Sequence, residues 1–226
     1  MPGPAWNDDD PGDATKIGAN CDQVLRTVQH DARARTGISE LNVRKWHRIL
    51  YQGCAVPSPA YVGNFRGDTA HRDLTDYEVG IGRRLSDGYP EKMGVWARDV
   101  APAVARFYVA IDSALTLLDQ NIPQGIRPQD AATIGEIIAL AAAAHGEWLR
   151  IHPYANGNGR TARLIANAIA LRYRLPAIVA LKPRRAGVQY LMAAQSSMGR
   201  PPDFQNDYFQ AVAAFTMYVR QTIGIP

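Results

Sequence analysis

Residues 152–163 combine groups that could bind phosphate with one that could move a proton. They read HPYANGNGRTAR: a histidine, a loop rich in glycine and asparagine, and two arginines. The backbone N–H groups of a glycine-rich loop that opens a helix can bind an anion, and arginines on the next turn add positive charge. A histidine just before the loop would lie beside the bound phosphates and could accept a proton. The stretch therefore predicts a phosphate site with a proton acceptor at its edge.

The alternative interpretation is that this stretch is only a turn between two helices. Asn-Gly occurs twice in it, and each pair is a turn signal that needs no chemistry. A simple connection would need neither the His152-Pro153 pair nor two arginines, Arg160 and Arg163, spaced to share one face of a helix. The complete set favours a functional site.

The pattern of apolar residues predicts an all-α domain with one small β-hairpin. Apolar positions recur at helical spacing, and Ser39 is a suitable N-cap for the second helix. The predicted helices cover residues 14–35, 39–51, 95–119, 128–151, 161–173, 186–195 and 203–222. The motif lies between the fourth and the fifth of these helices. We expect a strand or hairpin arm near residues 77–82.

Composition indicates one soluble domain. The chain has 226 residues, 46% of them hydrophobic, and a net charge of +4, which suits a phosphate-bearing ligand. Residues 1–14, acidic and rich in proline, are expected to be disordered, followed by a single domain over 15–226 with an N-terminal helix. No signal peptide is expected, and Cys21 and Cys54 are predicted to be free thiols, so we expect a cytoplasmic protein.

Several other classes of function are disfavoured. The most apolar window, residues 131–149, contains Glu136, His145 and Glu147, so no membrane span is predicted. No block of basic residues is dense enough to suggest nucleic-acid binding. A zinc helix needs histidines four apart on one face, whereas His145 and His152 are seven apart. His145 is instead predicted to pack behind the loop.

The motif resembles that of the Fic family, HPFx(D/E)GNGRxxR. Gly63-Asn-Phe-Arg66 resembles the family's GxFR segment, and the likeness extends over roughly residues 40–200. The resemblance implies a Fic-type helical bundle with a β-hairpin flap that docks the target chain. The expected flap residues are Tyr77, Glu78, Val79, Gly80 and Ile81.

The resemblance also implies an activity, the transfer of AMP or another nucleotide monophosphate from ATP or another nucleoside triphosphate to a Ser, Thr or Tyr hydroxyl of a target protein. His152 would be the general base, and Arg160 and Arg163 would hold the β- and γ-phosphates. The remaining phosphate-binding positions of the loop would be Asn156, Gly157, Asn158 and Gly159. The expected partner is a target protein, with no nucleic acid and no membrane.

Two residues depart from the family motif. Tyr154 replaces phenylalanine, which suits an inward-packing aromatic if its hydroxyl finds a partner. Asn156 replaces the Asp or Glu that holds Mg²⁺ in the family, and a neutral amide is a weaker ligand for a hard cation. Mg²⁺ is still the expected cofactor, held chiefly by the phosphates. The substitution leaves two alternatives open, a weak or silent nucleotide-binding module and a Fic-like phosphotransferase.

A regulatory glutamate is a further possibility. Residues 36–40 match the first five positions of the family's inhibitory motif (S/T)xxxE(G/N), and Leu41 departs from the sixth. Glu40 would then pair with Arg163. Alternatively, Ser39 and Glu40 only begin a helix, or a separate antitoxin-like protein supplies the glutamate.

Overall fold

Helices make up most of the computed structural model, which describes residues 4–6, 11–181 and 188–224. Predictions about residues 1–3, 7–10, 182–187 and 225–226 lie outside the described residues. The described chain contains eight α-helices, α1 Pro11–Arg33, α2 Glu40–Leu50, α3 Arg72–Thr75, α4 Ala97–Asn121, α5 Ala131–Ile151, α6 Asn158–Arg172, α7 Val188–Ser197 and α8 Tyr208–Ile223, together with a 3₁₀ turn at Pro59–Tyr61. The predicted all-α class is confirmed.

Helices α5 and α6 form the centre of the bundle, and the motif connects them. Asp130 caps α5 by accepting from the backbone N–H of Thr133 at 2.7 Å, which supplies a partner for one of the donors of the first turn. α6 is buried at every position from Arg160 to Leu171. A helix that is buried all round must lie inside the fold, so α6 is the central helix.

The other long helices cover this pair. α1 packs against α6 and α2, α4 packs against α5, and α8 packs against α5 and α7. By length and composition α4 could cross a membrane, which the sequence did not lead us to expect. One side of α4, however, packs in the core through Val100, Val104, Phe107, Ile111 and Leu115. The core helix of a soluble protein can have the same length and composition, so α4 is only weak evidence for a membrane span.

The N-terminal part of the chain is more ordered than its composition predicts. Helix α1 begins at Pro11, three residues before the predicted start, and Trp6 is only 9% exposed. The expectation of disorder over residues 1–14 therefore does not hold for residues 11–14, which belong to α1, nor for residues 4–6, where Trp6 packs on the ring of Tyr51. Neither Cys21 nor Cys54 forms a disulfide, in agreement with the prediction from the sequence.

Strands β1 Gly80–Arg84 and β2 Pro90–Met93 form a two-stranded antiparallel hairpin. Gly80 pairs with Met93, and Ile81 pairs with Lys92. The predicted flap residues 77–81 therefore overlap the hairpin only at Gly80 and Ile81, because β1 begins at Gly80 and extends to Arg84. Tyr77 is buried against the ring of Tyr61, which anchors the base of the hairpin and keeps Tyr77 out of it.

The hairpin is bridged to the end of α7. The backbone N–H of Met93 donates to the carbonyl of Gly199 at 2.8 Å, and Lys92 Nζ donates to the carbonyl of Met198 at 3.0 Å. An ion pair between Asp87 and Arg200 adds a third contact. These contacts place the hairpin beside the mouth of the cavity described below.

Candidate active site

His152 ends α5 in a left-handed backbone conformation, with φ 54° and ψ 55°. Its backbone N–H still donates to Trp148 at 2.9 Å, and Pro153 then prevents the helix from continuing. The ring atom Nδ1 lies 3.1 Å from the carbonyl oxygen of Leu149. Because a carbonyl can only accept, Nδ1 carries the proton and Nε2 is the acceptor.

The surroundings of His152 favour a neutral imidazole. Protein atoms surround the ring, although part of the residue reaches the cavity, and this burial together with the charge of Arg66 lowers the pKa of His152 to about 4. At neutral pH the ring is therefore unprotonated at Nε2. That is the state a general base needs.

Arg66 holds the backbone around His152. Its side chain is fully buried, and its Nε donates to the carbonyl of His152 at 2.8 Å. Its two Nη atoms donate to the carbonyls of Tyr77 and Val95 and to the carboxylate of Glu78, at 2.9–3.2 Å. Burial lowers the pKa of Arg66 to about 10, so the guanidinium stays charged at neutral pH. The GxFR segment therefore joins the base of the hairpin to the start of the motif.

The loop after His152 is closed by a side chain from within it. The amide of Asn158 accepts from the backbone N–H of Tyr154 at 2.9 Å and donates to the Tyr154 carbonyl at 2.8 Å. Gly157 has φ 80°, and a Cβ there would lie 2.5 Å from the hydroxyl oxygen of Tyr51, so only glycine fits. The loop leads into the N-terminus of α6, whose first N–H groups have no partner within the helix.

A cavity of about 510 Å³ lies at this helix N-terminus. Its polar lining consists of His152 and the loop and helix positions Asn156, Gly157, Asn158, Gly159, Arg160 and Arg163. The rest of the lining is largely apolar and is formed by Ile81, Leu149, Val188, Tyr190, Leu191, Ala194 and Met198. The cavity suits a ligand with an anionic part and a flat or apolar part.

Tyrosine hydroxyls hold the two arginines of the motif. Arg160 Nη1 donates to the hydroxyl of Tyr51 at 2.9 Å, and Arg163 Nη1 donates to the hydroxyl of Tyr190 at 2.6 Å. Arg163 Nη2 also donates to the carbonyl of Leu181 at 3.2 Å. The sequence did not reveal either tyrosine as part of the site, because both are far from the motif along the chain and lie in predicted helices whose spacing shows only an apolar face.

The side-chain amide of Asn156 is hydrogen-bonded through both its nitrogen and its oxygen. Its Nδ2 donates to the carbonyl of Trp6 at 3.0 Å, and its Oδ1 accepts from the backbone N–H of Gly157 at 2.6 Å. Among the residues that the structure describes, no group of three His, Cys, Asp or Glu side chains could hold a metal ion. The side chains at this position therefore do not fit a carboxylate-held Mg²⁺, and no chemical step below depends on one.

Glu40 does not reach the arginines of the motif. Its carboxylate accepts from Arg44 at 2.8 Å, and 49% of its side chain is exposed. Ser39 caps α2 by accepting from the N–H of Asn42 at 3.3 Å, so this segment begins a helix, as the alternative interpretation proposed. The expected pairing of Glu40 with Arg163 is not formed in this structure.

Two aromatic residues lie behind the cavity. Tyr154 is fully buried and stacks on His47 at 3.8 Å between ring centroids, but its hydroxyl has no hydrogen-bond partner in the described part of the chain. His145 is also fully buried, stacks on Phe215 at 4.3 Å, and has its Nε2 at 3.4 Å from the Tyr190 hydroxyl. His145 is thus packed against α7 and α8, and Tyr190 connects it to Arg163 of the motif.

The bundle, the hairpin and a helix N-terminus that opens onto the cavity are the features expected of a Fic-type domain, and comparisons with known proteins agree. The family model "Fic/DOC family" matches residues 37–170, more than half of the chain. The chain therefore belongs to the Fic/DOC family.

Curated relatives match over a shorter stretch. The protein adenylyltransferase Fic of Drosophila melanogaster is 33% identical over 72 residues, which cover 32% of this chain and 14% of that protein. The protein of the same name from Nematostella vectensis is 42% identical over 65 residues, 28% of this chain and 15% of that protein. The matched stretch thus spans about one seventh of the length of these relatives.

Solved structures show the same fold at low sequence identity. A Fic domain containing signaling protein from Bacteroides thetaiotaomicron has a TM-score of 0.55 at 18% identity, covering 93% of this chain and 73% of that one. The BepC protein of Bartonella tribocorum, crystallised with bound AMPPNP, has a TM-score of 0.54 at 13% identity, covering 90% and 86%.

Proposed function

We propose that this protein transfers AMP, or another nucleotide monophosphate, from a nucleoside triphosphate to a hydroxyl group of a target protein. The observation that carries this proposal is the position of the His152 proton acceptor, at the edge of a cavity that Arg160 and Arg163 also line. Relatives named protein adenylyltransferase support it over the matched stretch. ATP is the proposed donor.

In the proposed reaction, the target hydroxyl oxygen attacks the α-phosphorus of the nucleotide. Nε2 of His152 accepts the hydroxyl proton as the new P–O bond forms. The bond between the α-phosphorus and the bridging oxygen breaks, and pyrophosphate leaves. The neutral imidazole that burial maintains is ready for this step at neutral pH.

The phosphates would be held by the polar lining of the cavity. The N–H groups of the first turn of α6 offer donors to the developing charge, and the guanidinium groups of Arg160 and Arg163 add charge-assisted hydrogen bonds. The apolar part of the lining, with Val188 and Leu191 of α7, would face the base.

The hairpin would dock the target chain. All five residues of β1 are exposed, so its outer edge can accept an extended segment as an added strand. This arrangement would bring a target hydroxyl to the cavity that Ile81 and His152 both line.

The test is transfer of label from α-³²P-ATP to proteins of a cell lysate by the full chain. We expect a labelled band that is lost, by at least about a hundredfold, in His152→Ala, since general-base catalysis contributes about 10²–10⁴ in rate. His30→Ala is the matched control, because 85% of the His30 side chain is exposed and the residue lies far from the motif in sequence. Label from γ-³²P-ATP instead would identify a phosphotransferase, and no label from any nucleoside triphosphate would contradict the proposal.

A second candidate function is a silent nucleotide-binding module. The observation that favours it is the neutral amide of Asn156, which stands where the family motif has a carboxylate and is hydrogen-bonded through both its nitrogen and its oxygen. In that case calorimetry would show that ATP binds, while transfer would appear only in Asn156→Asp. Strong transfer by the unmodified protein would exclude this candidate.

We propose that Glu40 does not restrain the site. Glu40 is engaged by Arg44, so a glutamate paired with Arg163 would be supplied by an antitoxin-like protein. We propose such a partner as the regulatory element of this enzyme.

A further inference from the structure

A short N-terminal segment, residues 4–6, packs against the back of the motif loop. The Trp6 ring lies 4.5 Å from the Tyr51 ring and 6.0 Å from the Tyr61 ring, measured between centroids. The hydroxyl of Tyr61 donates to the carbonyl of Pro4 at 2.7 Å. The segment is thus fixed both by its side chain and by its backbone.

Asn156 joins this segment to the loop. Its Nδ2 donates to the backbone carbonyl of Trp6, and its Oδ1 accepts from Gly157, so one amide uses its donor and its acceptor at the same time. A carboxylate could accept from Gly157 but could not donate to a carbonyl, because an ionised acid has no proton to offer. Asparagine is therefore the residue type that this contact requires.

The contact continues to the arginine that opens α6. Tyr51 lies between Trp6 on one side and Arg160 on the other, since its ring packs on the indole and its hydroxyl accepts from Arg160 Nη1 at 2.9 Å. Gly157 passes so close to Tyr51 that it has no room for a Cβ. The indole, the phenol and the loop thus form one packed layer behind the cavity.

We propose that Trp6 is a positioning residue for the phosphate-binding loop, and that the amide of Asn156 holds it in place. In this chain the position that carries an acid in the family motif serves as a hydrogen-bond donor to the N-terminal segment. The proposal concerns how the loop and Arg160 are held, and it rests on the proposed function for the effects on ATP affinity and turnover but not for the effect on amide exchange.

The test measures amide hydrogen exchange and ATP affinity on the full chain and its variants. In Trp6→Ala we expect faster exchange in the peptide covering residues 152–160, and a Kd for ATP raised by about fivefold, because an aromatic contact behind Arg160 is lost. Trp6→Phe keeps a ring on Tyr51 and should restore most of the affinity. The KM for nucleotide should rise more than kcat falls, since the His152 side is not in contact with this segment.

Asn156→Asp tests the hydrogen bond itself. We expect faster exchange in the peptide covering residues 4–6, because the carboxylate repels the Trp6 carbonyl. Asn121→Asp, a matched change at an exposed amide at the end of α4, should leave both peptides unchanged.

Unchanged loop exchange and unchanged ATP affinity in Trp6→Ala would overturn the proposal, and so would a uniform rise in exchange over the whole chain, which would indicate general destabilisation. Exchange and binding do not require turnover. If neither the unmodified protein nor any variant transferred label, the proposed function would be wrong. The exchange and binding measurements would still decide the role of Trp6.

Discussion

At the scale of single residues, Tyr154 shows the consequence of one added oxygen atom. Its ring packs between His47 and Phe65, where the family motif has phenylalanine. Its hydroxyl is buried and finds no partner in the described part of the chain, and burial raises the pKa of Tyr154 far above its usual range. The ring therefore stabilises the fold while the hydroxyl costs free energy.

We expect Tyr154→Phe to raise the free energy of unfolding by about 1 kcal/mol, because the substitution removes a buried unsatisfied hydroxyl and keeps the ring. Urea unfolding at neutral pH measures the change. Tyr89→Phe, at a position that is 40% exposed, should change the free energy of unfolding by less than about 0.5 kcal/mol. A loss of stability in Tyr154→Phe would mean that the hydroxyl has a favourable partner.

Residues of the site could be predicted where they are close in sequence. His152, Arg160 and Arg163 belong to one motif, and the structure places all three around one cavity. Tyr190 and Trp6 reach the same site through contacts between distant parts of the chain. No spacing rule reveals such contacts, because they depend on how the helices pack and not on local periodicity.

At the scale of elements, Arg66 is the connection between the hairpin and helix α5. Its guanidinium group reaches both ends of the hairpin, at Tyr77 and Val95, and the last turn of α5 at Ile151. Each of these carbonyls would be left without this donor if the side chain were lost. The position of His152 relative to the flap thus depends on one buried charge.

Arg66→Met should lower the free energy of unfolding by about 3–5 kcal/mol, the usual cost of removing one member of a buried charged network. Chemical denaturation gives this value, and hydrogen exchange in the hairpin should rise at the same time. Arg98→Met is the control, since 81% of the Arg98 side chain is exposed and the expected change is within about 0.5 kcal/mol. A similar loss in both variants would contradict the special role of Arg66.

Helices were predicted more accurately than the hairpin, and the reason is physical. Each long helix has an apolar face that recurs every three or four residues, which marks its existence though not its ends. Strand β1 is exposed at every position, so it has no alternation of apolar and polar residues to reveal it. Its start at Gly80 is set instead by the anchoring of Tyr77 and Glu78 below it.

At the scale of the whole molecule, two histidines with lowered pKa values, His145 and His152, make stability depend on pH. Burial lowers the pKa of His145 to about 3 and that of His152 to about 4, against 6.5 for an ordinary histidine. The unfolded chain therefore binds protons below about pH 6.5 that the folded chain does not bind. Stability must rise with pH across this window and fall as the solution becomes more acidic.

Between pH 6 and pH 4.5 we expect the free energy of unfolding to fall by about 1.4 kcal/mol per pH unit for each of the two histidines. Urea unfolding at several pH values measures the slope. His145→Phe, which removes one of the two groups and keeps a ring against Phe215, should have a slope smaller by about 1.4 kcal/mol per unit. A stability that is independent of pH in this range would show that the histidines are not held neutral.

The bridge between the hairpin and the end of α7 has a consequence for how two ligands would affect each other. Met93 and Lys92 of the hairpin are hydrogen-bonded to the backbone of Gly199 and Met198, which follow α7. A target strand paired with the hairpin and a base packed on α7 would thus contact a single joined unit. Any change that one ligand causes in that unit alters the affinity for the other, and thermodynamic linkage makes the factor the same in both directions.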